Sequence, residues 1–222
     1  MNRKIQKKIL VLIKDLESRY GRPKNDRNFE LLDVLIETLL SQSTTDHNRD
    51  LAFTNLKKTF PDWELVNKAS EKKVSMAIRS AGLGNQKAKR IKSFLKFLKR
   101  DYGFLSLEFL KKKDTQFCVD FLTKHKGIGI KTAYVSLMLA ANRDVFPIDV
   151  HIHRIMQRLT IIPKKTTAEK SHSILAPYIP KLRAHEFHMN LLTFGRNICK
   201  SQNPKCGECN FNKICNYFLE KK

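Results

Sequence analysis

Nowhere in the 222 residues is there a run approaching the ~18 apolar side chains that a membrane-spanning helix requires, so no membrane partner is expected. Convincing alternating strands are missing as well, which argues against a sheet. There is no Gly/Ser-rich linker, low-complexity tract or long-period repeat. Any two lobes should therefore pack directly, and the chain is free to cross between them more than once. Acidic residues are scarce, with 21 Asp+Glu against 43 Lys+Arg and a formal net charge of +22. A charge of that sign favours a polyanionic partner, because neutralised phosphates release condensed counterions. A solubility adaptation or a membrane surface would account for it less specifically. A signal-peptide apolar run is lacking too. Met1 to Tyr20 carries Asp15 and Glu17, and its apolar residues Ile5, Ile9, Leu12, Ile13, Leu16 and Tyr20 form a helical stripe. The expectation is a cytoplasmic, nucleoid-associated protein, with the nucleus as the alternative.

What is present is apolar periodicity near 3.6 almost throughout, in a chain 41% hydrophobic and 29% charged, which reads as all-α and globular. After the N-terminal stripe, helices are expected over 28–40, 45–59, 64–68, 71–80, 87–102 and 105–111. Further helices are expected over 115–124, 131–142, 150–159, 167–176 and 183–199. Pro61-Asp62 and Ser70 mark helix starts, Gly82 and Gly84 bracket a turn, and Asp149 can cap the helix that follows Pro147.

Two constellations carry chemistry. In Phe121–Ala141, Gly127-Ile128-Gly129 joins two helical segments, and the second begins near Lys131. Alternate glycines permit a tight turn and a close backbone approach, and the helix N-terminus presents amides and a positive dipole end to a phosphate. Such a helix-hairpin-helix grips the backbone of DNA rather than reading bases. Asp149 follows Lys131 by eighteen residues. An Asp there can be both a helix cap and a carboxylate held still for chemistry.

The second constellation is thiol-rich. Cys199, Cys206, Cys209 and Cys215 fall within seventeen residues in the pattern C-x6-C-x2-C-x5-C. In an intracellular chain this points to a metal rather than disulfides. Zinc and an iron–sulfur cluster are both open, although one short knuckle with wide arms suits the larger inorganic core better. Lys200, Lys205 and Lys213 lie among these ligands. Cys118, beside Phe117, Phe121 and Leu122, reads as a small buried hydrophobe.

Lys126-Gly127-Ile128-Gly129-Ile130-Lys131-Thr132-Ala133, followed at this interval by Ile148-Asp149-Val150-His151, resembles the endonuclease III branch of the helix-hairpin-helix DNA glycosylases. The cysteine spacing is similar to that family's [4Fe–4S] loop. The resemblance covers about residues 28–217. It implies a two-lobed fold: a six-helix barrel domain (28–142) containing the hairpin, and a discontinuous helical domain (1–27 and 143–222) ending in the cluster loop. It further implies a DNA cleft between the lobes, with Lys131 as nucleophile and Asp149 as carboxylate facing each other across it. Cys199, Cys206, Cys209 and Cys215 would ligate a [4Fe–4S] cluster. Contacts with DNA would come from Lys126, Gly127, Gly129 and Thr132, with Gln42 filling the gap left by an extruded nucleotide and Leu83 wedging opposite.

The implied activity is that of a monomeric, bifunctional glycosylase and abasic-site lyase in base excision repair. It would act on double-stranded DNA containing damaged bases, by default oxidised pyrimidines, or abasic sites. A G:T/G:U mismatch glycosylase and a non-catalytic DNA-binding module are the alternatives. Two departures from the family pattern stand out. His125-Lys126 replaces the usual Leu-Pro, and one extra residue separates Gln42 from Asp46.

Overall fold

The computed structural model describes residues 2–25 and 29–220. Among them it contains helices and irregular connections but no strand. The helices are α1 (Arg3–Tyr20), α2 (Leu31–Leu40), α3 (Asp46–Thr59), α4 (Trp63–Lys68), α5 (Glu71–Ala77) and α6 (Gly84–Tyr102). They continue with α7 (Thr115–Thr123), α8 (Ile130–Ala140), α9 (Val150–Arg158), α10 (Ala168–Leu175), α11 (Ala184–Asn197) and α12 (Asn216–Leu219). No helix among the described residues is long and apolar enough to cross a membrane.

Local chemistry explains most helix starts. Side chains of Asn2, Thr45, Asp62, Ser70, Asp114, Asp149 and Thr167 each accept a hydrogen bond from a first-turn amide. The expected caps Asp62, Ser70 and Asp149 are among them. Three expectations need correction. Residues 105–111 form no α-helix, only a 3-10 turn over Glu108–Lys112, where the Ser106 hydroxyl takes the Glu108 amide at 3.2 Å. The segment expected to run to Ser80 leaves α geometry after Ala77 and ends in a 3-10 turn, Arg79–Ala81. Gly84 does not close a turn; it opens α6, where an added Cβ would lie 2.9 Å from the Ser75 hydroxyl. Asn28, the expected start of the helix before Leu40, lies outside the described residues, as do Asp26 and Arg27 near the expected domain boundary.

The chain divides into two compact units, residues 27–141 and residues 1–26 with 142–222. In the first, α2 is apolar nearly all round and is buried at Leu31, Leu32, Val34, Leu35, Ile36, Leu39 and Leu40. Its polar edge is confined to Asp33 and Glu37, one turn apart, so the rest of the helix must be covered, and α2 packs against α3, α6 and α8, with α4 and α5 on α6 and α7 against α8. In the second unit, α1 supplies Ile9, Leu12, Ile13 and Leu16 to a core completed by Ile152, Ile155 and Met156 of α9 and by Phe187, Leu191 and Phe194 of α11. There α9 and α11 approach closely at Gly195, where an added Cβ would lie 2.8 Å from the His151 Cβ.

Candidate functional site

The hairpin is built by α7, a short turn and α8. The Asp114 carboxylate starts α7, and the turn closes through Ile128 N–H to the His125 carbonyl at 3.0 Å. Its two glycines do different work. Gly127 sits at φ +94°, in the left-handed region, and an added Cβ would collide with the Arg90 side chain at 2.4 Å. Gly129 is the N-cap of α8 in ordinary extended geometry, and an added Cβ there meets nothing within 4 Å. Gly127 is therefore needed for the turn and its packing, whereas Gly129 leaves the first-turn backbone of α8 approachable. Ile128 is buried, Lys126 exposed, and Lys131, in the first turn of α8, half-buried. Thr132 turns inward and is buried on the face with Ala133, Ser136 and Leu137, so its hydroxyl is not a surface ligand for phosphate.

Gln42 is half-buried beside the hairpin. Its amide nitrogen donates to the Gly127 carbonyl at 2.9 Å and lies 3.4 Å from the Thr132 hydroxyl, while its oxygen accepts from Arg90 Nη1 at 3.1 Å. Both ends of the side chain are committed to the hairpin and to α6. Leu83, by contrast, is 58% exposed in the left-handed conformation at φ +51°. Ser43, the exposed residue after Gln42, is left-handed at φ +54°. A non-glycine residue held there is strained, which requires support from its surroundings.

That support is Lys87, which the sequence reading did not single out. Its ammonium is buried and donates to the carbonyls of Leu40, Gln42 and Ala81 at 2.8, 2.7 and 2.8 Å. All three donors of the ammonium are used. One cation thus ties the end of α2, the residue before Ser43 and the turn before Leu83 into a single block. Burial, reinforced by Arg90, pushes its pKa below the usual lysine value. The available signal was a lysine at an apolar-face position of α6, in register with Ala88, Ile91, Phe94, Leu95 and Leu98.

In the other unit, Asp149 ends an irregular segment whose residues Val145, Phe146 and Ile148 are buried. Its carboxylate accepts from Ile152 N–H at 2.8 Å and starts α9, with the residue itself partly accessible. The nearby polar groups have interior tasks. Arg154 donates to the Gly195 and Cys199 carbonyls at the end of α11, and His153 Nε2 meets the Thr166 carbonyl at 2.8 Å.

The four clustered cysteines line one small cavity together with Arg158, Ile198, Pro204 and Tyr217, while Cys118 is buried elsewhere at 0% exposure. A donor set of four soft sulfurs around one cavity suits a thiophilic metal centre, either zinc or an iron–sulfur cluster. Burial pushes the Cys209 thiol up to about 11 and raises Cys215 as well, so loading a metal centre there must release protons. The Arg158 guanidinium donates to Cys199 Sγ at 3.3 Å and covers the Tyr217 ring at 4.0 Å.

Residues 36–181 match the family described as HhH-GPD superfamily base excision DNA repair protein. Endonuclease III of Thermotoga maritima is 30% identical over 210 residues, covering 95% of this chain and 93% of that protein. The chain belongs to the endonuclease III family. Endonuclease III of Sulfolobus acidocaldarius is 32% identical over 84% of this chain and 82% of its own length. A solved structure of a non-covalent endonuclease III–DNA complex superposes with a TM-score of 0.84 at 22% identity, covering 97% of each chain. This endonuclease III family member spans only part of some relatives. It covers 58% of a 36%-identical candidate DNA glycosylase of Arabidopsis thaliana and 9% of the rice protein ROS1A.

For this endonuclease III family member, replacing Lys87 by Met keeps the aliphatic stem but leaves three carbonyls without their donor. Urea unfolding should show a loss of about 2–3 kcal/mol. An unchanged midpoint would mean that the carbonyls find other partners.

Proposed function

We propose that this chain is a bifunctional DNA glycosylase and abasic-site lyase of base excision repair. The observation that carries this reading is the position of Lys131 in the first turn of α8, two residues after the approachable Gly129 backbone. An amine at that place can reach a nucleotide whose phosphate the hairpin holds. The names of the relatives support the same reading.

In this mechanism the Lys131 amine attacks C1′ of an extruded nucleotide. The glycosidic bond breaks, and the base leaves with the bonding electrons and takes up a proton. Ring opening gives a protonated imine. Loss of a 2′ proton then expels the 3′ phosphate, and water releases the amine. Asp149 accepts the proton that frees the lysine amine and offsets positive charge at the sugar. Its hydrogen bond to Ile152 N–H holds the carboxylate still. The preferred lesion is an oxidised pyrimidine such as thymine glycol, in double-stranded DNA bound by the monomer. Leu83 fills space in the opened stack.

Cys199, Cys206, Cys209 and Cys215 would hold a [4Fe–4S] cluster, which supplies a rigid inorganic crosslink to a segment with little core of its own. Lys200, Lys205 and Lys213 stand among these ligands, ready to face phosphate.

Borohydride trapping on a duplex with one abasic site tests the chemistry. Wild type should give a covalent band, Lys131→Gln none, and Asp149→Asn a band that forms at least tenfold more slowly, with duplex affinity retained in both. A Lys131→Gln protein that traps at the wild-type rate would sink the assignment. Elemental analysis separates the metal alternatives: about four irons per chain are expected for the cluster, and Cys206→Ser should lose both iron and visible absorbance. One zinc per chain would overturn that part. Lys126→Ala should weaken binding to damaged and undamaged duplexes alike and reduce the slope of log K against log salt by about 1. An unchanged slope would remove Lys126 from the interface.

A further inference from the structure

The segment leading into Asp149 is buried from Val145 to Ile148 but belongs to no helix or sheet, so its buried backbone groups must find partners outside a regular ladder. One peptide group, between Pro147 and Ile148, is held at both poles. Its carbonyl, on Pro147, accepts from Nδ1 of His188 at 2.9 Å. Its N–H, on Ile148, donates to Nε2 of His172 at 3.0 Å. The two imidazoles come from different helices, α10 and α11, and both are nearly fully buried, His172 at 4% and His188 at 3% exposure.

The protonation pattern follows from the partners. An amide can only donate, so His172 Nε2 must present its lone pair, and its proton sits on Nδ1. That nitrogen faces the carbonyls of Ala168 at 3.0 Å and Glu169 at 3.2 Å, which can only accept. A carbonyl can only accept, so His188 carries its proton on Nδ1. Burial lowers the His172 pKa despite the opposing pull of Glu169 and the two carbonyls, in keeping with a neutral ring. A neutral acceptor on one side and a donor on the other fix the plane of the peptide one residue before Asp149.

We infer that His172 and His188 are positioning residues for Asp149, gripping the Pro147–Ile148 peptide from both poles and thereby setting where its carboxylate stands. The inference rests on the reading of Asp149 as the working carboxylate. Phe146 and Ile148 anchor the segment by burial, so the histidines are not required to keep it in the core. What they add is orientation, and an error near 1 Å in a reacting group can cost on the order of 10²-fold in rate.

The test is a double-mutant cycle between His172→Leu and Asp149→Asn, read as the single-turnover rate of borohydride trapping on a duplex with one abasic site. Duplex affinity and melting temperature are measured on the same samples. With Asp149 present, His172→Leu should slow trapping roughly ten- to hundredfold at unchanged affinity. His172→Gln, whose carbonyl can accept from Ile148 N–H, should recover most of the rate. In the Asp149→Asn background, His172→Leu should have almost no further effect. A loss of equal size in both backgrounds, or a wild-type rate for His172→Leu, overturns the positioning role. Asp149→Asn trapping at the wild-type rate would instead overturn the functional reading of Asp149 itself. Should His172→Leu not fold, His188→Leu removes the other grip, and the same cycle applies with the same outcomes.

Discussion

The molecule depends on cations that meet helix C-termini inside the protein. A helix that ends in the interior leaves carbonyls without donors and a negative dipole end without water. Lys87 takes this position at the end of α2, Lys92 bonds to Val66, Asn67 and Ala69 at the end of α4, and Arg154 closes α11. Each supplies several donors to carbonyls that would otherwise be buried and unsatisfied, at a cost on the order of 1–3 kcal/mol apiece. Without these contacts the loops after α2 and α11 would have to unwind toward solvent. Those loops carry Ser43 and the cysteine segment.

This arrangement gives part of the positive charge a role apart from DNA. Of the 43 Lys and Arg side chains, Lys87 and Lys92 are almost fully buried, and counting them toward a phosphate-binding surface would mislead. Lys126 is exposed on the hairpin. The separation matters for function. Interior cations make loop geometry rigid, whereas exposed ones are free to meet an anionic partner, with a salt dependence that buried ones lack. Preorganised loops also avoid an ordering cost that would otherwise consume binding free energy.

Asp149 shows what one local bond fixes. As an N-cap it stabilises α9, and the hydrogen bond that does so restricts the rotamer freedom of its carboxylate. Gln42 is held by the same kind of bond: the Gly127 carbonyl and the Arg90 guanidinium fix both ends of its half-buried amide.

The all-helical character, most helix starts, the hairpin and the clustering of the cysteines were legible because their signals are local. Capping acts over three residues, amphipathic stripes repeat every three or four, and a cysteine loop declares itself in seventeen. His172 and His188 stand 24 and 41 residues from the backbone groups they hold, and Lys87 stands 47 and 45 residues from two of its carbonyls. No local pattern encodes such partners. Nor could spacing tell that Thr132 would be buried, or that residues 105–111 would not sustain an α-helix. The sequence by itself determined which chemical groups are present and which helices carry them. The tertiary structure decided which polar groups are taken from water and must therefore satisfy one another, because that depends on burial, and burial is a property of the packed chain.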